Sequence, residues 1–101
     1  MTFFAKNHII YPNTIIFAMN ITVLTPDKEI FKGAILSVKV PGTKGQFQIL
    51  SRHAPIVSSL AKGSVSIVKS DNSRMKFDIS GGFIEVLNNE VSLLVTGVVI
   101  N

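Results

Sequence analysis

Few side chains in this sequence are of the types that catalyse, and their spacing limits what they could do. His53 stands in Arg52-His53-Ala54-Pro55 and is the best single candidate for acid–base work, since an imidazole titrates near neutrality. No acid adjoins it to orient the ring, and no serine sits in a strained elbow beside it. A loop histidine next to an arginine more often makes a hydrogen bond or an interface contact. The carboxylates are Asp27, Glu29, Asp71, Asp78, Glu85 and Glu90. Asp27 and Asp71 fall in turn sequences, and Asp78, Glu85 and Glu90 fall at outward strand positions or beside a hairpin. Carboxylate-pair hydrolysis needs two such groups about 5–9.5 Å apart across a cleft, and nothing in the spacing suggests one. Gly42-x-x-Gly45 and Gly81-Gly82 are too short to cradle phosphates, because no Gly-Lys-Ser/Thr follows. With no cysteine, and with His8 and His53 the only histidines, thiolate chemistry is excluded and a zinc site is disfavoured. The expectation is a protein with no catalytic residues, no metal site and no cofactor.

The elements that would position these residues are strands. From Asn20 onward the apolar period is two. Ile21 and Val23 share a face, and Thr25-Pro26-Asp27-Lys28 ends that strand as a turn, with Pro26 fixing φ and Asp27 capping locally. Glu29-Ile30-Phe31-Lys32 returns until Gly33 releases the chain. Leu36, Val38 and Val40 then alternate with Ser37 and Lys39 up to Pro41-Gly42. From Gly45, Phe47 and Ile49 alternate with Gln46 and Gln48. Further strands are expected over Ile56 to Leu60, around Val65 and Ile67, and over Met75, Phe77 and Ile79. Gly81-Gly82 permits positive φ, a bulge or a close backbone approach. Asn88-Asn89 joins the last two long strands as a tight hairpin turn. Phe31, Phe47, Phe77 and Phe83 are expected mostly inward. Eight or nine short strands with turns every 8–12 residues, and no helical period, predict an antiparallel β-sandwich or closed barrel.

Composition agrees. The 101 residues suffice for one domain, and 47% hydrophobic with 16% charged residues predicts a packed core. The net charge of +4 comes from singly scattered Lys and Arg rather than a clustered basic face, which speaks against nucleic acid as partner. Residues 1–18 differ in pattern from the rest of the chain. Phe3-Phe4, Ile9-Ile10 and Ile15-Ile16-Phe17 are apolar but broken by Asn7, His8, Pro12 and Asn13, too short a run for a signal peptide or a membrane span. The segment reads as a leader produced by an upstream start, with the domain over residues 19–101; a targeting or membrane-touching segment is the alternative.

Several motifs together resemble the epsilon subunit of F-type ATP synthases. They are Asn20-Ile21-Thr22-Val23-Leu24-Thr25-Pro26-Asp27-Lys28, Val38-x-Val40-Pro41-Gly42-x-x-Gly45, His53-Ala54-Pro55, Lys62-Gly63 and Ser80-Gly81-Gly82-Phe83-x-Glu85-Val86. They keep the family's order and spacing from Met19 to about Gly97. The resemblance implies a flattened antiparallel β-sandwich of about ten strands acting as a non-catalytic rotor part. It would sit on the gamma subunit and on the polar loops of the c-ring, peripheral to a membrane. A bacterial inner membrane at its cytoplasmic face is the expected location, with an organelle as the equivalent. Such a part couples ring rotation, driven by protons or sodium ions, to ATP synthesis. Many relatives add a carboxy-terminal pair of helices; ending at Asn101, this chain resembles a short form without that hairpin. By position, Thr43, Lys44, Gly45 and Gln46 match the region facing the c-ring, and Arg52, His53, Ala54 and Pro55 a region at or near gamma. Relatives often have an acid at the position of Gln46, Gly at those of Gln48 and Arg52, and Pro at that of Ser51. The rival reading is a stand-alone β-sandwich module binding a sugar, a peptide or single-stranded nucleic acid.

Overall fold

The computed structural model describes residues 8–11, 14–17 and 19–100. Strands β1 (His8–Tyr11) and β2 (Thr14–Phe17) pair antiparallel as a separate two-stranded sheet. The expected leader otherwise lies outside the described residues.

The alternating sequence from residue 19 builds a nine-stranded sheet folded on itself. Its strands are β3 (Met19–Leu24), β4 (Glu29–Gly42), β5 (Gly45–Leu50), β6 (Ile56–Leu60), β7 (Gly63–Lys69), β8 (Arg74–Ile79), β9 (Gly81–Leu87), β10 (Glu90–Thr96) and β11 (Val99–Ile100). No helix occurs among the described residues. All-β architecture follows from the period-two burial: Met19, Ile21 and Val23 of β3 are fully buried, as are Ile84 of β9 and Leu93 of β10, with Phe77 of β8 the largest core side chain. Each such residue contributes about 1.5–3 kcal/mol by leaving water. Neighbouring strands run antiparallel with one exception, β3 beside β10, which are parallel.

Strand β4 makes the sheet fold over. Its first half pairs with β3, from Glu29 opposite Leu24 to Ile35 opposite Met19. Its second half has β5 on one edge, Val38 facing Ile49, and β7 on the other, Val38 facing Ile67. At its far end Gly42 meets Leu60 of β6, joining β4 to the opposite side of the sheet. Two sequence expectations change here. Gly33 does not release the chain; it pairs with Ile21 in mid-strand. The Phe31 ring covers it, since a Cβ on Gly33 would lie 3.1 Å from the ring's Cζ. And the apolar inward residue before Val38 is Ile35, fully buried, whereas Leu36 is half-buried and Ser37, expected outward, is buried. Between Ile35 and Ser37 the register against β7 shifts, two β4 residues spanning one β7 step. That β-bulge inserts Leu36 and reverses the burial phase.

Turn chemistry follows the sequence with one substitution. In the β3–β4 turn Thr25, not Asp27, is the cap: its Oγ1 accepts from the Asp27 N–H (3.3 Å) and the Lys28 N–H (3.1 Å). Asn88 and Asn89 both have positive φ, 50° and 61°, the signature of a type I′ hairpin. Gly82 has φ 152°, and a Cβ there would lie 2.1 Å from the Leu94 carbonyl oxygen. Gly82 thus serves a close approach of backbones.

Candidate interface surfaces

The residues singled out by sequence lie at the two ends of β5. At its start, the β4–β5 hairpin closes through Gly42 opposite Gly45. Gly45 holds φ 129° with open space where a side chain would stand. Thr43, Lys44, Gly45 and Gln46 are all exposed. The Thr43 N–H donates to the Ser59 carbonyl (3.2 Å), so the hairpin is fixed against β6, and a cleft of about 520 Å³ separates Gln46 and Phe47 from Val57 and Ser58. The Lys44 ammonium therefore projects from an anchored turn.

At the other end, the His53 N–H donates to the Leu50 carbonyl (3.2 Å), closing a turn with Arg52 as its third residue at φ 66°. That position wants glycine, and an arginine there is held by its surroundings. The Arg52 N–H donates to Asn89 Oδ1 at 2.7 Å, across 37 positions of chain. His53 Nδ1 lies 2.7 Å from the Ala54 carbonyl, which accepts only if Nδ1 carries the proton. This contact is local and orders the loop; it supplies no catalytic partner. Ala54 and Pro55 are exposed at a cleft of about 460 Å³ against the β9–β10 turn. The two loops are distinct surfaces.

Two of the carboxylates are held by serine hydroxyls. Asp78, expected on the solvated face, is half-buried and accepts from Ser64 Oγ at 2.6 Å across β7 and β8. Asp71 accepts from both the hydroxyl and the N–H of Ser73. These bonds, the hydroxyl's first, hold its carboxyl below the ordinary carboxylate value. No cluster of His, Asp or Glu that could hold a metal occurs among the described residues.

Sequence reasoning missed a third surface. Phe83, expected inward, is 56% exposed, and Leu94 directly opposite it on β10 is 50% exposed. Leu24 adjoins Leu94 on β3, and the three line an apolar cleft of about 370 Å³. Val57 and Leu87 are also exposed on the outward positions of β6 and β9. The signal was Glu85, which shares the strand face of Phe83 and Leu87. Exposed aromatic and aliphatic side chains gathered on one sheet face suit contact with another protein.

The family described as the ATP synthase delta/epsilon chain β-sandwich domain matches residues 18–101. The ATP synthase epsilon chain of Chlorobaculum tepidum is 44% identical over 77 residues, 76% of this chain and 88% of that protein. That of Leptospira borgpetersenii is 42% identical over 76 residues, 75% of this chain but 59% of the relative. Among solved structures, a chain of the Euglena gracilis mitochondrial ATP synthase shares the fold, with a TM-score of 0.79 at 20% identity. The match covers 97% of this chain and 62% of that one. A chain from the central stalk and c-ring of the Tetrahymena thermophila mitochondrial ATP synthase aligns with a TM-score of 0.68 at 21% identity. It covers 81% of this chain and 66% of the other.

Proposed function

We infer the function from the family: this chain belongs to the ATP synthase delta/epsilon β-sandwich domains, and we propose that it is a non-catalytic central-stalk subunit of a rotary ATP synthase. Its partners in that role are the gamma subunit and the polar loops of the c-ring, at the cytoplasmic face of a bacterial inner membrane or the organellar equivalent. It acts as a rigid coupling piece between a ring driven by protons or sodium ions and gamma. Torque is passed through contact area, so no residue need do chemistry.

The observation that carries this reading is the family match over residues 18–101; the exposed Phe83 and Leu94, with half-buried Leu24 beside them, add an apolar contact face backed by a sheet whose inner side is the core. Such a face stays rigid under load because every second residue of its strands is locked in the interior. Thr43–Gln46 is assigned to the ring and Arg52–Pro55 to gamma. Lys44→Glu and Arg52→Glu test the assignment by co-purification with gamma and the ring, and by ATP-driven ion pumping. Weakened assembly or coupling with the isolated domain still folded is expected. Unchanged affinity and pumping in both variants would refute it.

The rival, a stand-alone binding module, predicts an exposed aromatic groove, and Phe83 supplies one ring. Its cleft neighbours Leu24, Pro26 and Leu94 offer aliphatic contact rather than the interleaved aromatic and basic residues that stack nucleobases. A monomer that captured an oligonucleotide or glycan with micromolar affinity and left gamma unbound would favour the module.

A further inference from the structure

We propose that Asn89 is the positioning residue of the Arg52–Pro55 docking loop, fixing it against the centre of the sheet for contact with the stalk partner. The inference rests on the assignment of that loop to gamma and names the residue that shapes it.

The geometry has three parts. First, Arg52 occupies the left-handed region at φ 66°, where a non-glycine residue persists only if its surroundings hold it. The turn's own bond runs from the His53 N–H to the Leu50 carbonyl and leaves the Arg52 N–H to another acceptor. Second, that acceptor is Asn89 Oδ1, at 2.7 Å. Third, Asn89 is itself anchored: its backbone carbonyl accepts from the Asn20 N–H at 3.0 Å, at the start of β3, and β3 lies between β4 and β10. One residue thus ties the loop through its side chain and the sheet through its main chain. The exposed Ala54 and Pro55 are displayed from a frame rather than from a free connection.

Asn89 also lies at φ 61°, so its residue type answers two demands: a left-handed backbone and a side-chain acceptor. Glycine meets the first and lacks the second. Aspartate retains an oxygen and tolerates the left-handed region. Alanine fails both and is uninformative. Asn72, at φ 68° in the β7–β8 turn, provides a matched control for the flexibility that glycine adds.

The test compares Asn89→Gly, Asn89→Asp and Asn72→Gly in the full chain, with Arg52→Glu as reference. Amide hydrogen exchange at Arg52 and affinity for purified gamma are the two readouts. Asn89→Gly should speed exchange at the Arg52 amide at least tenfold and weaken gamma binding about fivefold. Asn89→Asp should restore both, and Asn72→Gly should move neither. If Arg52→Glu weakens binding while Asn89→Gly leaves affinity unchanged, the positioning role is overturned and the loop assignment stands. If Arg52→Glu and Asn89→Gly both bind as wild type although the Arg52 amide exchanges faster, the loop is not at the interface. That result removes the assignment and the docking role together.

Discussion

Replacing Gly82 with alanine should cost this fold a large share of its stability, and the structure says why. Gly82 sits in β9 opposite Val95 of β10 on one side and Leu60 of β6 on the other. A Cβ built there would stand 2.1 Å from the Leu94 carbonyl oxygen and 3.0 Å from the Val95 Cα. Carbon–oxygen contacts settle near 3.3–3.6 Å, so backbone, not a flexible side chain, must shift by more than about 1 Å. The backbone at φ 152° adds strain of about 1–3 kcal/mol for a residue with a Cβ, and overpacking adds about 1–3 kcal/mol. A total near 4 kcal/mol is expected, against about 4–12 kcal/mol for a domain of this size. For a domain of 60–100 residues that corresponds to about 15–30 °C in Tm. Gly81→Ala is the internal reference. Its Cβ would meet only the Leu60 carbonyl oxygen, at an ordinary 3.5 Å, so a change under about 1 kcal/mol is expected. Urea denaturation followed by circular dichroism measures both. Should the two variants agree within about 0.5 kcal/mol, the close-approach explanation of Gly82 is wrong.

Three other perturbations separate the remaining claims. Ile35→Ala, at a fully buried position, should cost about 2–5 kcal/mol; Leu36→Ala, half-buried at the bulge, should cost markedly less in the same thermal melts. Asp71 should titrate below its ordinary value of 3.8 because Ser73 donates to it. A folded-state value below the unfolded one favours folding above the unfolded value and loses that contribution as pH falls through the folded value. Ser73→Ala should therefore raise the Asp71 value, read by carbon-13 NMR, and reduce the domain's sensitivity to acid below about pH 4. Phe83→Thr keeps a strand-forming residue on an exposed position and should leave the melt within about 1 kcal/mol, while weakening partner binding about thirtyfold if Phe83 is an aromatic anchor.

The fold class was legible because alternation is a local signal. Phe77 and Ile79 alternating with Lys76 and Asp78, or Val91, Leu93 and Val95 along β10, state their buried face without reference to any neighbour. The long β4 was not legible, since its breakers are neutralised by partners distant in the chain. Gly33 is flanked by Ile21 and roofed by the Phe31 ring, over which the Lys69 ammonium lies 4.9 Å from the centroid. Pro41 stays in the strand opposite Gln46 of β5, and its carbonyl accepts from the Ala61 N–H at 2.7 Å. Nor could the parallel pairing of β3 with β10 be read, as nothing in either strand specifies the direction of its neighbour.

The candidate surfaces divide along the same line. Thr43–Gln46 and Arg52–Pro55 were visible as glycine- and proline-marked loops, whereas the bond from Arg52 to Asn89 joins two segments that no local pattern connects. The apolar face is the instructive case, because its signal was local and was outweighed. Glu85 and Phe83 are two residues apart on β9, so a strand that exposes the first exposes the second. Reading Phe83 by its residue type put it in the core; reading it by its phase puts it outside. When type and phase disagree in a strand, phase is the stronger guide, because turning one side chain inward would turn Glu85 inward as well, and burying an unpaired carboxylate costs more than exposing a phenylalanine. An aromatic residue kept in phase with a charge is therefore evidence of a surface that another molecule covers, and Phe83 with Leu94 is the first place to look for it.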